Sequence, residues 1–555
     1  MTPGSRPIED PPSATRTPGV AADPPPRPEE LVRLAEGATV AESDAGRSPD
    51  TAGTTTMRRK QVRGSALLAL GRALTILLTT ATQIVIVRSL TMSDYGAFAY
   101  ALAIAGSGQV LLSLGQGRLL SRFMAKYDEQ RDYERMFGSL VLAVVTILVT
   151  SSVAIATLFM LSDELIGTAV EDPATVEVVL ILVFLAPLEA LDQVFVALFA
   201  VFSKPRAIFV RKYLFTPGLR LAVVIALAVT GSSVSFLALG YLAAGVIGLL
   251  VYVVVAVQVL RQRGLLQHLR IRRIVLPFRA VFSFSVPLIT GELFLLSLTV
   301  GGVLILGFYH SAAEVASYRA VFNPSRLNNA VQQAFVPLFL PLAARLFARA
   351  DIDGLRRSYW HTATVVAVCT FPLFALTGPL APELTVALFG VRYSESALVL
   401  ALLSVGYYVS VVLGFNAYTL QVCERLRFLV GVNVFAAVLN VTVALLLVQR
   451  HGALGIAIAN LSALVAHNLL NQWALRGAIK TTFIDRRSLR CYLAILVAAS
   501  GLWVFQVTVD PGLAVGVAAA TLASIAVLLI SRRALELGDT FPELLRVPVF
   551  GRLVR

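Results

Sequence analysis

From residue 64 onward the chain is a succession of apolar stretches parted by short loops. Each stretch is as long as the ~20 residues a helix needs to cross the hydrocarbon of a bilayer. Fourteen such stretches are expected, over 64–87, 95–117, 137–161, 175–202, 208–230, 234–260, 278–306, 313–343, 359–380, 396–420, 427–449, 452–475, 489–509 and 512–531. Span 313–343 is the most polar of them. Hydrophobic residues make up 57% of the chain and charged residues 14%, against roughly 25% charged in a typical soluble protein. A soluble core cannot absorb that much apolar surface. The pattern predicts an all-α polytopic membrane protein with about 14 transmembrane helices.

The net charge of +14 invites a nucleic-acid reading, but the positions of the charges argue against nucleic acid as a partner. With the residue-58 end taken as cytoplasmic, the inside segments hold about 35 Lys and Arg, clustered at 58–63, 118–135, 204–212, 261–279, 345–357, 425–427, 476–490 and 532–555. The outside loops hold three, Arg88, Arg392 and Arg450. This asymmetry is the positive-inside signature. A wrong helix count would scramble the alternation, so it supports fourteen spans with both termini inside.

Residues 1–57 differ. They are rich in Pro, Ala, Ser, Thr and acids, lack an apolar run, and are expected to be a disordered cytoplasmic tail. Met57 precedes the basic cluster directly, which makes it a candidate start and residues 1–56 a candidate gene-model extension. At the other end, Leu535–Arg555 alternates apolar and basic residues, as an interfacial segment would, though an unstructured tail fits equally.

Loops this short leave no room for a catalytic domain. No GxxxxGK sequence occurs among the five lysines, so ATP hydrolysis is not expected. The three cysteines, Cys369, Cys423 and Cys491, lie far apart, and the five histidines form no ligand pair. No metal and no cofactor is expected. Asp351-Ile-Asp353 is a DxD without a fold around it.

Polar side chains at bilayer depth are costly and mark pathways. Arg72, Thr75, Thr79 and Gln83 share one face of the first helix, and Gln109, Ser113 and Gln116 one face of the second, with Arg118 at its inner end. In the fifth, Lys212, Thr216 and Arg220 are spaced by four. The eighth carries Arg319, Asn323, Arg326 and Gln333 on one face, beside Asn328, Asn329 and Gln332. Ser, Thr and Asn also serve as glue between helices, and Arg118, Arg211 and Lys212 are near enough to the inner surface to snorkel. Arg72, Arg319 and Arg326 are better explained by a cavity. Glu189 and Asp192 share a face of the fourth helix and either pair with an arginine or bind a coupling cation; Glu292, in the seventh beyond Pro287, is a third acidic candidate. Arginine holds phosphate through paired, charge-assisted hydrogen bonds, and amides and hydroxyls suit sugar. These residues suggest transport of an anionic amphiphile.

Four segments then resemble one family. "VRSLTMSDYGAFAYALAIAGSGQVLLSLGQGRLLSRFMAKY" resembles the first two helices of the polysaccharide-transporter (Wzx-type flippase) family. "ILGFYHSAAEVASYRAVFNPSRLNNAVQQAFVPLFLPLAARLFARAD" is similar to its helix 7–8 region. "LFGVRYSESALVLALLSVGYY" and "LNVTVALLLVQRHGALGIAIANLSA" resemble later signatures, in the same order and spacing. The resemblance implies the multidrug/oligosaccharidyl-lipid/polysaccharide (MOP) exporter superfamily, with two pseudo-symmetric six-helix lobes and two C-terminal helices. Here these would be a tail at 1–57, lobes at 58–275 and 276–480, and the remainder at 481–555. Many relatives carry an Asp in helix 7 where this chain reads "TVGGVLILG", so the resemblance implies no coupling through that residue here, and Glu292 is the nearest substitute.

The implied function is a flippase, not an enzyme, that moves undecaprenyl-diphosphate-linked oligosaccharide from the inner to the outer leaflet of the plasma membrane by alternating access, for cell-surface polysaccharide. Expected partners are that lipid, membrane lipid and polysaccharide polymerases or ligases. The expected substrate residues are Arg72, Arg118, Arg319, Arg326, Arg220, Gln83, Gln109, Asn323 and Gln333, with Glu292, Asp192 and Glu189 as candidate coupling-ion residues. A lipid II flippase shares the fold and charge pattern. A drug/cation antiporter of the multidrug and toxin extrusion (MATE) type would need an acidic cavity, and a polymerase would need a large outer loop.

Overall fold

The computed structural model describes residues 71, 74–113, 116–160, 173–202, 209–268, 275–276, 285–483 and 485–535. The expectations for residues 1–57 and for the C-terminal tail fall outside these. Among the described residues every regular element is helical. The first half comprises α1 (Leu74–Ser89), α2 (Met92–Ser113), α3 (Gln116–Glu129), α4 (Tyr133–Met160), α5 (Pro173–Leu182), α6 (Leu185–Val201), α7 (Thr216–Thr230) and α8 (Val234–Gln262). The second comprises α9 (Ser285–Leu296), α10 (Gly302–Tyr309), α11 (Ala312–Ser325), α12 (Leu327–Ala348), α13 (Ile352–Thr377), α14 (Ala381–Phe389), α15 (Ala397–Val412), α16 (Asn416–Val422), α17 (Leu426–Ile479), α18 (Arg486–Val509) and α19 (Leu513–Leu535).

Twelve of these helical stretches are long and apolar enough to cross a membrane, and α1 is a shorter apolar helix. One of the twelve, α17, is two crossings. A straight helix of its 54 residues would be about 80 Å long. Instead Asn440 Nδ2 donates to Asn460 Oδ1 at 2.8 Å, and His467 Nε2 meets Asn433 Oδ1 at 3.1 Å. Both pairs are centred on residue 450, so the chain doubles back there. Gly452 makes the reversal with φ +48°. A Cβ at Gly452 would lie 2.4 Å from Glu314 Oε1, which accepts the Ala453 N–H at 2.8 Å. The expected spans 427–449 and 452–475 are thus a hairpin. With α1, the polytopic fold accommodates fourteen crossings.

Two expectations about local structure change. The basic stretch after the second span is not a plain loop but the amphipathic helix α3. Its Leu120, Phe123, Met124 and Tyr127 recur at helical spacing and are buried against Met136, Phe199 and Tyr252. The polar eighth span is not one helix: it divides into α11 and α12 at Arg326, two residues after Pro324, whose missing N–H and ring interrupt the backbone ladder.

Packing follows the order of the chain. One core draws only on residues 120–265, and others only on residues beyond 294. A further core joins the two groups, with Phe98, Leu185 and Leu237 on one side and Val303, Phe322 and Ile456 on the other. The last two helices pack through Ile495, Leu502 and Val527 on Phe371 and Phe374 of α13. Leu446, Val497, Val507 and Leu522 face outward, as they must where the solvent is hydrocarbon.

Candidate functional site

The polar stripes of α1, α2, α6, α7 and α11 converge on one cavity of about 410 Å³. Thr75, Thr79, Thr82 and Gln83 line it from α1, and Gln109 from α2. Glu189, Asp192 and Gln193 come from α6, Thr216 and Arg220 from α7, and Arg319 and Asn323 from α11. The helical period explains the convergence: 75, 79, 82 and 83 fall on one face of α1, and 189, 192 and 193 on one face of α6. Tyr95 and Tyr241 close the wall. Sequence reasoning missed these two tyrosines and Gln193. Neither tyrosine belongs to a polar repeat, whereas Gln193 extends the face of Glu189 and Asp192 by helical period.

Within the cavity the charges are sorted. Arg220 donates to Glu189 Oε1 at 2.8 Å, and its guanidinium stands 5.1 Å from the centre of the Tyr241 ring. Of the two roles open to Glu189 in the sequence, the geometry shows arginine pairing. Arg220, expected to meet substrate, is itself tied to that carboxylate. Arg319 has no carboxylate partner among the described residues; its guanidinium lies 5.3 Å from the Phe322 ring centre. A free guanidinium beside amides and hydroxyls is the chemistry that holds a phosphate.

The other expected site residues lie apart. Arg326 is at the break between α11 and α12, 5.4 Å from the centre of the same Phe322 ring and 5.9 Å from that of Tyr407. It is near Arg319 but not in the cavity lining. Gln333 is also outside that lining, donating to Tyr418 Oη at 2.9 Å. Glu292 is on α9 and does not line the cavity. Arg72 lies outside the described residues, as does the side chain of Arg118, whose backbone belongs to α3.

One end of the cavity is closed by contacts between the two groups of helices. Gln83 Nε2 donates to the carbonyls of Ala320 at 2.8 Å and Arg319 at 3.1 Å, and Asn323 Nδ2 donates to Gln83 Oε1 at 2.5 Å. Nearer the surface, Arg88 Nε donates to the Leu388 carbonyl at 3.0 Å and its Nη2 to that of Ala387. Arg392 returns the contact to the Val87 carbonyl. Each arginine therefore binds the C-terminal carbonyls of a helix on the other side, where cations are favoured. Gly96 permits the approach, since a Cβ there would lie 1.7 Å from the Ala312 carbonyl oxygen. These residues sit at the end that the charge pattern assigns to the outside.

Comparison with known proteins agrees with this architecture. No curated protein sequence matches the chain. Among solved structures, the lipid II flippase MurJ in an inward closed conformation matches with a TM-score of 0.64 at 13% identity, over 87% of this chain and 100% of that one. An inward-facing MATE family transporter of the MOP superfamily matches with a TM-score of 0.60 at 15% identity, over 75% and 99%. A Vibrio cholerae MATE transporter gives 0.51 at 15% identity, over 78% and 100%. The fold is that of the MOP transporters. The family model described as polysaccharide biosynthesis protein matches residues 85–398, more than half of the chain, and this membrane protein belongs to that family.

Proposed function

We propose that the protein is a flippase that carries undecaprenyl-diphosphate-linked oligosaccharide from the inner to the outer leaflet of the plasma membrane. The observation that carries this reading is Arg319, a guanidinium without a carboxylate partner among the described residues, in a cavity lined by amides, hydroxyls and the Glu189 and Asp192 side chains inside an apolar bundle. Arg319 binds the diphosphate, with Arg326 beside it, and by sequence Arg72 and Arg118 continue the cationic path toward the inner end. Gln83, Gln109 and Asn323 contact sugar. The polyprenyl tail stays in lipid. Membership of the polysaccharide biosynthesis family and the transporter fold support this, and they support a carrier over an enzyme.

In this reading the lobes are residues 58–275 and 276–480, both termini are cytoplasmic, and the contacts around Gln83, Arg88 and Arg392 form the outer closure of an inward-open state. The lobes rock about the bound head group. An ion gradient, membrane potential or consumption of product outside drives the cycle; Asp192 and Glu292 are the acidic groups proposed for a coupling ion.

The test is transbilayer movement of a short undecaprenyl-diphosphate oligosaccharide in proteoliposomes without ATP. Movement by the unmodified protein, lost in Arg319→Gln while the protein stays folded, is the expected result. Full activity of Arg319→Gln would remove the anion site from the mechanism. Export of a cationic dye in place of the lipid would move the protein to the drug-antiporter class.

A further inference from the structure

A second cavity, of about 670 Å³, shares no lining residue with the first. It is lined by Arg425, Phe428, Trp473, Arg476, Lys480 and Thr481 together with small residues. Arg425 caps the start of α17, Arg476 is in its last turn, and Lys480 is its C-cap. Because α17 doubles back at Gly452, both of its ends meet at one membrane surface, and three cations from positions 425 to 480 come together there. No acidic residue lines the cavity; Glu424 and Asp485, the nearest acids in sequence, are not part of it.

Burial does not account for these cations, since all three are exposed, and no ion pair holds them among the described residues. Their backbone, in contrast, is held. Lys480 adopts φ +48°, and its carbonyl accepts from Arg356 Nη1 at 3.2 Å. Thr481 Oγ1 accepts from the buried Trp360 Nε1 at 2.7 Å. Trp473 is 63% exposed, with its ring 6.3 Å from that of Phe428. An exposed Trp at the end of a spanning hairpin, here against the half-buried Phe428, is the signature of the headgroup layer. The carbonyls ending α17 disfavour an anion by about half a charge, which three full positive charges outweigh.

We propose that this cavity binds the phosphate of an anionic lipid headgroup, with Arg425, Arg476 and Lys480 on the phosphate and Trp473 and Phe428 against the upper acyl chain. The site itself follows from the hairpin geometry; only its assignment to the inner leaflet rests on the orientation proposed above. The phosphate belongs either to bulk anionic lipid or to the diphosphate of an arriving cargo, and the test separates the two.

The full chain with Trp503→Phe, which removes the one other exposed tryptophan, is reconstituted in phosphatidylcholine vesicles. Brominated phosphatidylglycerol or brominated phosphatidylcholine is titrated in, and quenching of Trp473 is followed. Half-maximal quenching is expected at a roughly fivefold lower mole fraction of the brominated anionic lipid. The preference should vanish in Arg476→Gln/Lys480→Asn, where Asn tolerates the left-handed backbone. Arg476→Gln alone, at an exposed position, gives a reduced preference should the double variant fold poorly. Equal quenching by the two lipids, or a preference that survives these changes, would overturn the proposal. Reversal by inorganic pyrophosphate, where chloride at equal ionic strength has no effect, assigns the site to a diphosphate headgroup. Quenching that pyrophosphate leaves intact assigns it to bulk lipid. No transport is measured, so failure here leaves the flippase reading untouched, and the reverse also holds.

Discussion

Gln83→Leu should open the closed end of the main cavity, and the reason lies in Pro324. In an α-helix the Ala320 carbonyl accepts from the N–H of residue 324, and proline has none. Gln83 Nε2 supplies the missing donor from another helix at 2.8 Å. The same amide reaches the Arg319 carbonyl at 3.1 Å and accepts from Asn323 at 2.5 Å. Leucine keeps the bulk and removes these three bonds, together with the longer one from Gln83 Nε2 to Tyr95 Oη at 3.4 Å. Orphaning a buried carbonyl costs about 1–3 kcal/mol, and other side-chain bonds within membranes average about 0.6 kcal/mol each. The closed state should lose about 2–4 kcal/mol, which is about 30- to 900-fold in the opening equilibrium. The assay places Leu102→Cys in the cavity wall, with Cys369, Cys423 and Cys491 changed to Ala, and measures its rate with an impermeant maleimide added on the Arg88 side. Pro324→Ala restores the intrahelical donor, so in that background Gln83→Leu should raise the rate only about eightfold, from the remaining bonds. Equal effects of Gln83→Leu in the two backgrounds would refute the argument that the proline creates the need for the glutamine.

The Arg88→Gln/Arg392→Gln pair removes three arginine-to-carbonyl bonds, two of them exposed; at the modest value of surface contacts the same maleimide rate should rise about fivefold, and an unchanged rate would deny the pair any latching role. Gly452→Val must force a branched side chain into a left-handed turn against Glu314. A loss of at least ~1–2 kcal/mol is expected, read as a lower midpoint in detergent unfolding. Asn460 joins Asn440, Tyr318 Oη and the Leu298 carbonyl, so Asn460→Leu should cost roughly 2 kcal/mol. Adding Asn440→Leu should cost less than the sum of the two single changes. Arg220→Ala and Glu189→Gln should each destabilise by ~1–3 kcal/mol, with the double variant milder than either, because each single change strands a charge; side chains only 27% and 30% exposed keep this above the surface range.

Spanning helices are the part of this fold that sequence reads most directly. In hydrocarbon a backbone must satisfy its own hydrogen bonds, so about twenty apolar residues in a row admit little besides a helix. The polar faces were legible for the same reason: Thr75, Thr79 and Gln83, or Arg319 and Asn323, fall on one side of a helix by its period alone. Which faces meet was not legible. Periodicity places Arg326 and Gln333 on the stripe of Arg319, but the break after Pro324 turns that stripe. Arg326 then stands against Tyr407 and Gln333 against Tyr418, outside the cavity lining. Nor could spacing pick the partner of Glu189; the packing of α6 on α7's neighbours brings Arg220 within 2.8 Å of it.

Alone, the sequence determined that the chain crosses a membrane many times, where charge is admitted, and which helix faces are polar, because each of these is a local matter of transfer energy and helical period. The tertiary structure decided what those faces do. Gln83 answers a carbonyl that a proline 241 positions away left without a donor. Gly452 folds 54 helical residues into a hairpin and gathers Arg425, Arg476 and Lys480 at one surface. Such pairings join residues distant in the chain, and no local preference encodes them; they exist only once the helices have packed.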